Sequence, residues 1–371
     1  MMKPLSRRKA APDYFLLGLS LILLVFGWVM LYSASAIMAD KQYADPLFYL
    51  KRQGLFSLAG LGLMALFSRI PYGRLREWVW PLLALTLMVL VAVLFTSPIA
   101  GVKRWIRIGP FGLQPAEFAK LTMVLFLADY LDRKRSKVSN FTQGMIVPWA
   151  VVGLLLGLIS LQPDLGTPAL LFGVGLLVLF VGGTRFHHLA VVGLAAMPVL
   201  LYELLRLPYR RARLMTFLHP FNDAGGTGYQ LVQSLLAVGA GGWAGQGLGA
   251  SKIKLMYLPA PHTDFIFPVL CEELGLLGAV AVLCLFTALL LRGIRIARGA
   301  PDLFGMLLAS GLTFLICLQA FFNIAMSIGL MPTKGLPLPF FSYGGSSLLV
   351  TLAAMGILLN ISRHRVLPAS R

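Results

Sequence analysis

Long apolar stretches constrain this chain more than any other feature of its sequence. A helix needs roughly 20 mostly apolar residues to span a bilayer. Ten segments approach or exceed that length: 14–36, 54–68, 78–97, 115–131, 144–161, 165–182, 186–204, 264–291, 303–328 and 343–361. Only 12% of the residues are charged, against about 25% in soluble proteins. The sequence therefore predicts an all-α polytopic membrane protein of about ten transmembrane helices, folded as a single domain over residues 1–371.

Basic residues predict the orientation of these helices. A basic cluster at residues 3–9 leads into an apolar stretch too long for the core of a cleavable signal, so it is typical of a signal anchor. The positive-inside rule places this end in the cytoplasm, and ten crossings return the C-terminus to the same side. Short cytoplasmic tails are expected at 1–13 and 362–371, with one long extracytoplasmic loop, 205–263, between helices 7 and 8.

The net charge of +18 and the three cysteines limit the possible functions. Three cysteines exclude a disulfide scaffold and a Cys-rich metal domain, and Cys271, Cys284 and Cys317 lie in apolar runs that indicate core packing. Orientation does not require the basic residues on the outer side, which are Lys103, Arg104, Arg107, Arg206, Arg210, Arg211, Arg213, Lys252, Lys254 and Lys334. They indicate either a solvated face that contacts lipid headgroups or a site for a phosphate-bearing anion.

The outer loop 205–263 is too long for a simple connection, and loops of this length are usually functional or disordered. It contains aromatic and apolar residues, so we expect it to fold onto the membrane surface. Its stretch 225–249 is rich in glycine, which permits close backbone approach and unusual dihedral angles. No phosphate-binding fingerprint accompanies these glycines, and a short helix flanked by turns is the favoured local structure.

Acidic residues near the membrane are few, and each has a structural alternative. Glu117 and Lys120 are three residues apart on one helical face, which is typical of an intrahelical ion pair. Asp164 follows a proline and could cap the sixth span. Glu272 and Glu273 lie about two turns into the eighth span, where they require partners.

Asp264 stands where the long loop enters the eighth span, in the sequence His262-Thr263-Asp264-Phe265. Thr263 and Asp264 could simply form an N-terminal helix cap. Alternatively, Asp264 is a general base at the membrane surface, next to the glycine-rich loop and the basic cluster. His262 could tune this carboxylate or carry a proton, although a single histidine in a loop is usually structural.

The last outer loop, within 323–347, contains three prolines and a Gly-Gly pair between two spans. These residues force non-helical backbone near the interface, which is tolerated where it is buried in protein or lines a cavity. The loop is therefore either a structural plug or part of a substrate channel, with Lys334 as a cation.

Taken together, these motifs resemble the FtsW/RodA/SpoVE (SEDS) family over nearly the whole chain. The matching segments are 32–35, 103–106, 114–120, 162–167, 228–230, 254–259, 262–267, 272–273 and 323–347. Segments 254–259, 332–336 and 359–364 resemble the cell-division branch of the family more than the elongation branch. One departure is Ala260, where the family often has glutamate, and it leaves a role for a glutamate there without support.

The resemblance implies a peptidoglycan glycosyltransferase that polymerises lipid II at the outer face of the bacterial cytoplasmic membrane, at the division septum. It implies Asp264 as the general base of an inverting transfer that releases undecaprenyl diphosphate. Cations would stabilise that leaving group. The substrate-binding residues expected from the matching motifs and the outer charges are Lys120, Lys334, Arg104, Arg210, Gln230, Glu117 and His262.

The resemblance also implies partners and leaves two other functions open. A class B penicillin-binding protein would supply transpeptidation, and other division proteins would join the complex. A divalent cation, Mg²⁺ or Mn²⁺, could supply charge, although the sequence shows no metal site. The alternatives are a flippase that carries lipid II across the bilayer and a non-catalytic scaffold for a synthase. Clustering of the cations and Asp264 on one side favours the enzyme over the flippase.

Overall fold

The computed structural model describes residues 11–98, 102–109, 111–252, 254 and 262–365. Twelve α-helices account for most of these residues: α1 (Tyr14–Tyr43), α2 (Phe48–Arg69), α3 (Leu75–Val93), α4 (Pro115–Arg133), α5 (Val147–Ser160), α6 (Gly166–Val181), α7 (Phe186–Arg206), α8 (Pro208–Leu218), α9 (Tyr229–Ala240), α10 (Ile266–Arg298), α11 (Leu303–Ser327) and α12 (Gly345–Arg363). Short 3-10 turns cover Tyr72–Arg74, Arg135–Lys137 and Pro220–Asp223, and a π-helical turn, Thr142–Ile146, precedes α5. The prediction of an all-α fold is confirmed.

A small antiparallel hairpin is the exception to the helical architecture. Its strands are β1 (Ile106–Ile108) and β2 (Phe111–Leu113), with Ile106 opposite Leu113. The Gln114 amide that follows β2 donates to the Ser346 hydroxyl at the start of α12, 3.1 Å away. This bond fixes the hairpin against one end of the helical bundle.

Each of the ten predicted spans falls on a helix, and seven helical segments in the described part of the chain are long and apolar enough to cross a bilayer. The complete count of ten stays a prediction. As expected, the Gln162-Pro163-Asp164 interruption separates α5 from α6. Several helices run past the predicted spans; α1, for example, continues to Tyr43. Hydropathy marks the apolar part of a helix, and backbone hydrogen bonding can continue beyond it.

The core lies where α4, α11 and α12 pack together, and close approach of helices depends on small residues. A Cβ on Gly356 would lie 2.5 Å from the Met64 carbonyl oxygen, and one on Gly293 would lie 2.1 Å from the Thr313 hydroxyl. These contacts bring α12 against α2 and α10 against α11, as small residues do between membrane helices. Cys271 and Cys317 are buried as predicted, but Cys284 is exposed, so its assignment to the core is wrong. It lies in an apolar run on a helix whose outer face remains uncovered.

The glycine-rich part of the long connection completes a break in α10. Gly275 has φ 65° and ψ −162° inside that helix, so the helical hydrogen-bond ladder is interrupted there. The amides of Gln246 and Gly247 donate to the carbonyls of Glu272 and Glu273, and the Leu276 amide donates to the Gly242 carbonyl. The turn after α9 thus satisfies backbone groups that the break exposes. The long connection is folded, with α8 and α9 in its described part; residues 255–261, including Ala260, lie outside the described residues.

Both ends of the described chain meet at one end of the bundle. The Asp13 carboxylate caps α1 by accepting from the Leu16 amide, and it also accepts from Arg292 and Arg365. The Asp13 amide donates to the Ser362 hydroxyl at 3.1 Å. The beginning of α1 and the ends of α10 and α12 therefore lie on the same side, which agrees with an even number of crossings. We call this the termini end, and the opposite end, where α10 begins, the cavity end.

Candidate active site

A cavity of about 530 Å³ opens at the cavity end, between the turn before α6, helices α8 and α9, the start of α10 and the loop after α11. This volume is within the range of small-molecule sites in proteins. The charged residues that line it are Arg104, Asp164, Arg210, Arg213, Asp264 and Lys334. Four cations thus surround two carboxylates, so the net charge favours an anionic ligand.

Asp264 lies in this cavity and does not cap the helix that follows it. The N-cap position of α10 is Phe265, and no side chain there makes a capping hydrogen bond. The pKa of Asp264 is raised to about 6, chiefly by burial; Arg213 and Arg104 lower it, and the neighbouring Asp164 raises it. A carboxylate with a pKa close to the working pH is ionised and can still accept a proton efficiently. These properties are those of a general base.

The backbone of Asp264 is fixed by contacts with the last loop. Asn323 of α11 donates to the Asp264 carbonyl at 2.8 Å, and the Ser342 hydroxyl donates to the Thr263 carbonyl at 2.5 Å. The Tyr343 amide donates to the His262 carbonyl at 2.8 Å. A Cβ added to Gly335 would lie 3.3 Å from Asp264 Oδ2, so the loop passes directly beside the carboxylate.

The four cavity cations differ in how far their charge is already used. Arg104 donates to the carbonyls of Gln162 and Pro163, and Arg210 is buried in an ion pair with Glu203. Arg213 is exposed and reaches the Thr333 carbonyl at 3.5 Å. The Lys334 ammonium, half-buried, has no ion-pair or hydrogen-bond partner among the described residues. Burial lowers its pKa, and Asp164 partly opposes that shift.

The structure brings five of the predicted site residues to this cavity and leaves three elsewhere. Asp264, Lys334, Arg104, Arg210 and Gln230 line it. Lys120 and Glu117 form a buried ion pair of 2.7 Å within α4, as the structural alternative predicted. His262 is buried, and its ring centroid lies 4.3 Å from that of Tyr49. Burial lowers the pKa of His262 to about 4, so the ring is neutral at physiological pH.

Two of the charged residues that line the cavity were not predicted as site residues. Asp164 does cap α6 through Thr167, whose amide and hydroxyl donate to its two oxygens at 3.2 and 2.9 Å, but it also lines the cavity. Arg213 is one helical turn from Arg210 on α8. Their three-residue spacing would have placed both on one face, had the sequence identified that helix.

Glu272, Glu273 and Lys254, which do not line the cavity, have structural partners. Glu273 binds the Lys254 ammonium at 2.8 Å and accepts from the Ser33 hydroxyl at 2.7 Å. Glu272 accepts from the Lys252 amide at 3.0 Å and from the Ser251 hydroxyl. These pairs hold the long connection against α10, as their depth in the helix predicted.

A metal site of three or more histidine, cysteine, aspartate or glutamate side chains is absent from the described residues. Asp164 and Asp264 are nevertheless two carboxylates on one cavity. Mg²⁺ is commonly held by one or two carboxylates together with substrate phosphates. The chemistry of these residues fits such an ion when a phosphorylated substrate is present.

A bundle of long apolar helices with a charged cavity at one end defines a multi-pass membrane protein with a polar site. The family model FTSW_RODA_SPOVE, described as cell cycle protein, matches residues 14–367. The chain therefore belongs to the FtsW/RodA/SpoVE family. Stage V sporulation protein E of Bacillus subtilis strain 168 is 43% identical over 97% of this chain and 99% of its own length.

Further relatives agree in sequence and in structure. A probable peptidoglycan glycosyltransferase FtsW of Geobacter sulfurreducens strain DL-1 / KN400 is 43% identical, over 94% of this chain and 95% of its own. A chain from the structure of a peptidoglycan synthase complex, described for its coordination of polymerization and crosslinking, is similar with a TM-score of 0.80 and 32% identity, covering 96% of this chain and 98% of its own. The rod shape determining protein RodA of Thermus thermophilus is similar with a TM-score of 0.70 and 30% identity, covering 96% and 99%.

Proposed function

We propose that this protein is a peptidoglycan glycosyltransferase that polymerises lipid II into glycan strands. The observation that carries the proposal is the Asp264 carboxylate, which faces a cavity with four cations and has its pKa raised to about 6 by burial. Membership of a family that includes proteins named as probable peptidoglycan glycosyltransferases supports the same activity.

The proposed reaction is a single displacement with inversion at the anomeric carbon. The 4-hydroxyl oxygen of the acceptor N-acetylglucosamine forms a bond to C1 of the donor N-acetylmuramic acid while the C1–O bond to the diphosphate breaks. Asp264 takes the hydroxyl proton, and the electron pair of the broken bond leaves with undecaprenyl diphosphate. One carboxylate is sufficient, because diphosphate is a good leaving group and needs no separate acid if cations stabilise it.

Lys334 is the favoured cation for that leaving group. Its ammonium has no partner among the described residues, whereas Arg104 and Arg210 already bind protein groups. Arg213 adds a second, exposed charge, and Gln230 on α9 can donate to a sugar or phosphate oxygen. A divalent cation held by Asp164 and the substrate phosphates would neutralise further diphosphate charge. Lys120, Glu117 and His262 are buried and do not line the cavity, so they would act without touching the substrate.

We further propose that the protein works at the division septum in the bacterial cytoplasmic membrane, with both termini in the cytoplasm and the cavity outside. Its partner would be a class B penicillin-binding protein, which supplies the transpeptidation step, within a larger assembly of division proteins. The similarity to a chain of a peptidoglycan synthase complex supports such a partnership. Resemblance of segments 332–336 and 359–364 to the division branch supports the septal role.

The test is polymerisation of lipid II by the purified protein with a class B partner whose transpeptidase is inactivated, with and without Mg²⁺ or Mn²⁺. Glycan chains are resolved on a gel for wild type, Asp264→Asn and, as a control at the termini end, Asp132→Asn. We expect chains from wild type and Asp132→Asn and none from a folded, partner-bound Asp264→Asn. Equal polymer from all three would remove Asp264 from the mechanism.

The same preparation separates the two rival functions. If wild type with bound partner forms no polymer but moves lipid II across vesicle membranes, the protein is a flippase. If it does neither while the partner gains activity, it is a scaffold. Either result would contradict the proposed enzyme.

A further inference from the structure

Helix α11 presents two buried amide side chains toward the back of the cavity. Gln319 and Asn323 are four residues apart, so they occupy one face of the helix on successive turns. Both are almost completely buried, yet neither lines the cavity. Buried amides are costly unless they are hydrogen-bonded, so their partners indicate what these residues do.

Asn323 joins the two segments that carry the reacting groups. Its Nδ2 donates to the Leu336 carbonyl at 2.7 Å and to the Asp264 carbonyl at 2.8 Å. Both partners are acceptors only, so the amide nitrogen must face them and the orientation of the side chain is unambiguous. One NH₂ group therefore holds the Asp264 backbone and the loop that follows Lys334 at a fixed distance.

Gln319 links the same loop to the buried ion pair of α4. Its Oε1 accepts from the Lys120 ammonium at 2.8 Å, and its Nε2 donates to the Pro337 carbonyl at 2.8 Å. Lysine can only donate and a carbonyl can only accept, so this amide too has one possible orientation. The Lys120 ammonium is fixed in turn by Glu117 at 2.7 Å.

We propose that Gln319 and Asn323 are positioning residues that keep Asp264 and Lys334 at a fixed separation. The Glu117–Lys120 ion pair then acts on catalysis through Gln319. Asn323 sets the spacing of the two segments, and Gln319 anchors the Lys334 loop to a charge pair that cannot move within its helix. The inference rests on the proposed function in taking Asp264 and Lys334 as the reacting groups.

Proton abstraction and leaving-group stabilisation both depend on atoms held close to the reactive arrangement, and a displacement of about 1 Å can cost on the order of 10²-fold in rate. The proline-rich loop between α11 and α12 lies outside any helix, so its position depends on contacts with other parts of the protein. The two amides provide contacts at consecutive carbonyls, Leu336 and Pro337.

The first test compares Asn323→Asp with Asn360→Asp in the lipid II assay. The change at 323 is isosteric but places an oxygen against two carbonyl oxygens, so we expect kcat to fall on the order of 10²-fold while KM stays within about threefold. Asn360 is a matched buried amide at the termini end, where it bonds the Ser68 carbonyl and the Tyr72 amide. The same substitution there should leave kcat per folded molecule unchanged.

The second test is a double-mutant cycle between Gln319→Met and the neutral pair Glu117→Gln with Lys120→Met. If the ion pair acts through Gln319, the combined variant loses no more kcat than the worse of its two components. Gln319→Met also serves if Asn323→Asp does not fold, because it leaves Asn323 in place. We expect Gln319→Asn to lose as much activity as Gln319→Met, because the shorter side chain cannot reach both Lys120 and the Pro337 carbonyl.

Three results would overturn the inference: wild-type kcat in folded Asn323→Asp, an equal loss in Asn360→Asp, or losses that multiply in the cycle. Multiplying losses would mean that Lys120 acts on the substrate independently. Asp264→Asn, measured in parallel, separates this failure from that of the proposed function. If Asp264→Asn keeps full activity, the proposed base is wrong; if it is inactive while Asn323→Asp is normal, only the positioning role is wrong.

Discussion

The two ends of the helical bundle differ in how their charged residues are paired. At the termini end, Asp13 binds Arg292 and Arg365, while Asp129 and Asp132 bind Arg76 and Asp129 also binds Arg133. At the cavity end, Asp264 and Lys334 have no ion-pair partner among the described residues. Both ends are rich in charge, but these three acids at the termini end are matched by cations at short distance.

This difference separates charges that hold the fold from charges available to a ligand. A matched, partly buried ion pair fixes two helices relative to each other, and breaking it leaves an uncompensated charge. A buried carboxylate without a partner is costly to the folded protein, and the raised pKa of Asp264 is the sign of that cost. Such a cost is expected where function requires the group.

We expect the largest effect on turnover when the charge of Lys334, unpaired among the described residues, is removed. Lys334→Gln removes the charge without removing bulk, and we expect kcat for glycan polymerisation to fall about 10²-fold, as when one electrostatic stabiliser of a transition state is lost. The measurement is initial rate against lipid II concentration. Lys51→Gln is the control, because that exposed lysine pairs with Asp45 on the surface and does not line the cavity. An equal decrease in both variants would contradict the distinction.

The pH dependence of turnover gives the next largest effect. The pKa of Asp264 is about 6 because burial disfavours its charged form, so the base is ionised above that pH and protonated below it. We expect kcat/KM, which reports the pKa of the free enzyme, to be level above about pH 7 and to fall toward tenfold per pH unit below pH 6. Steady-state rates from pH 5 to 8 would show this. A profile that is flat down to pH 5 would exclude Asp264 as the base.

The same shift predicts the direction of the stability change. A folded-state pKa above the ordinary value means that the folded protein binds the proton more tightly, so Asp264 destabilises the fold as pH rises from about 4 through 6. Asp264→Asn removes this charge, and its thermal midpoint at pH 7.5 should equal or exceed that of wild type. A clearly lower midpoint would show that the carboxylate has a structural role.

A smaller effect is expected from crowding the carboxylate. In Gly335→Ala the added methyl would lie about 3.3 Å from Asp264 Oδ2, and a displacement of a few tenths of an ångström is needed to relieve the contact. We expect a reduction of kcat of about threefold to tenfold, by the same sensitivity to misplacement. Gly344→Ala, where the methyl would meet only Ser347 at 3.7 Å, should be neutral. A neutral Gly335→Ala would mean that the carboxylate moves freely.

The smallest effect on turnover is expected at the termini end. Asp13→Asn removes the charged partner shared by Arg292 and Arg365 and should lower stability by about 1.5–3 kcal/mol, the range for hydrogen bonds to charged groups. Turnover per folded molecule should not change. Thermal unfolding in detergent together with kcat checks both statements. A loss of kcat without a loss of stability would contradict the purely structural role of Asp13.

The sequence predicted the helices well, because a bilayer imposes a hydropathy signal of about 20 residues on each crossing helix. It predicted the α5–α6 break from a single proline turn. It did not predict the hairpin at 106–113, whose strands are only three residues long, or the break at Gly275. That break is stabilised by the segment 242–247, and no local pattern in α10 reveals a partner so distant in the chain.

Asp264, Lys334 and Arg104 were identified as site residues from their residue types and from motif resemblance. Asp164 was assigned a cap and Arg213 only a place among the outer cations, because nothing in the sequence shows that the turn before α6 and the helix α8 face the same cavity. Lys120 and Glu117 were expected at the substrate. The ion pair predicted as the alternative is what forms, buried behind the loop it supports.

The sequence alone determined that this chain crosses a membrane, which residues could carry charge near its surface, and which family it resembles. These properties follow from local composition and short motifs. Tertiary structure alone decided which charges are neutralised by neighbours and which remain available, since Arg210 pairs with Glu203 and Lys254 with Glu273 while Lys334 faces the cavity. The physical reason is that the cost and use of a charge depend on its burial and on partners within a few ångströms, and several of those partners come from distant parts of the chain.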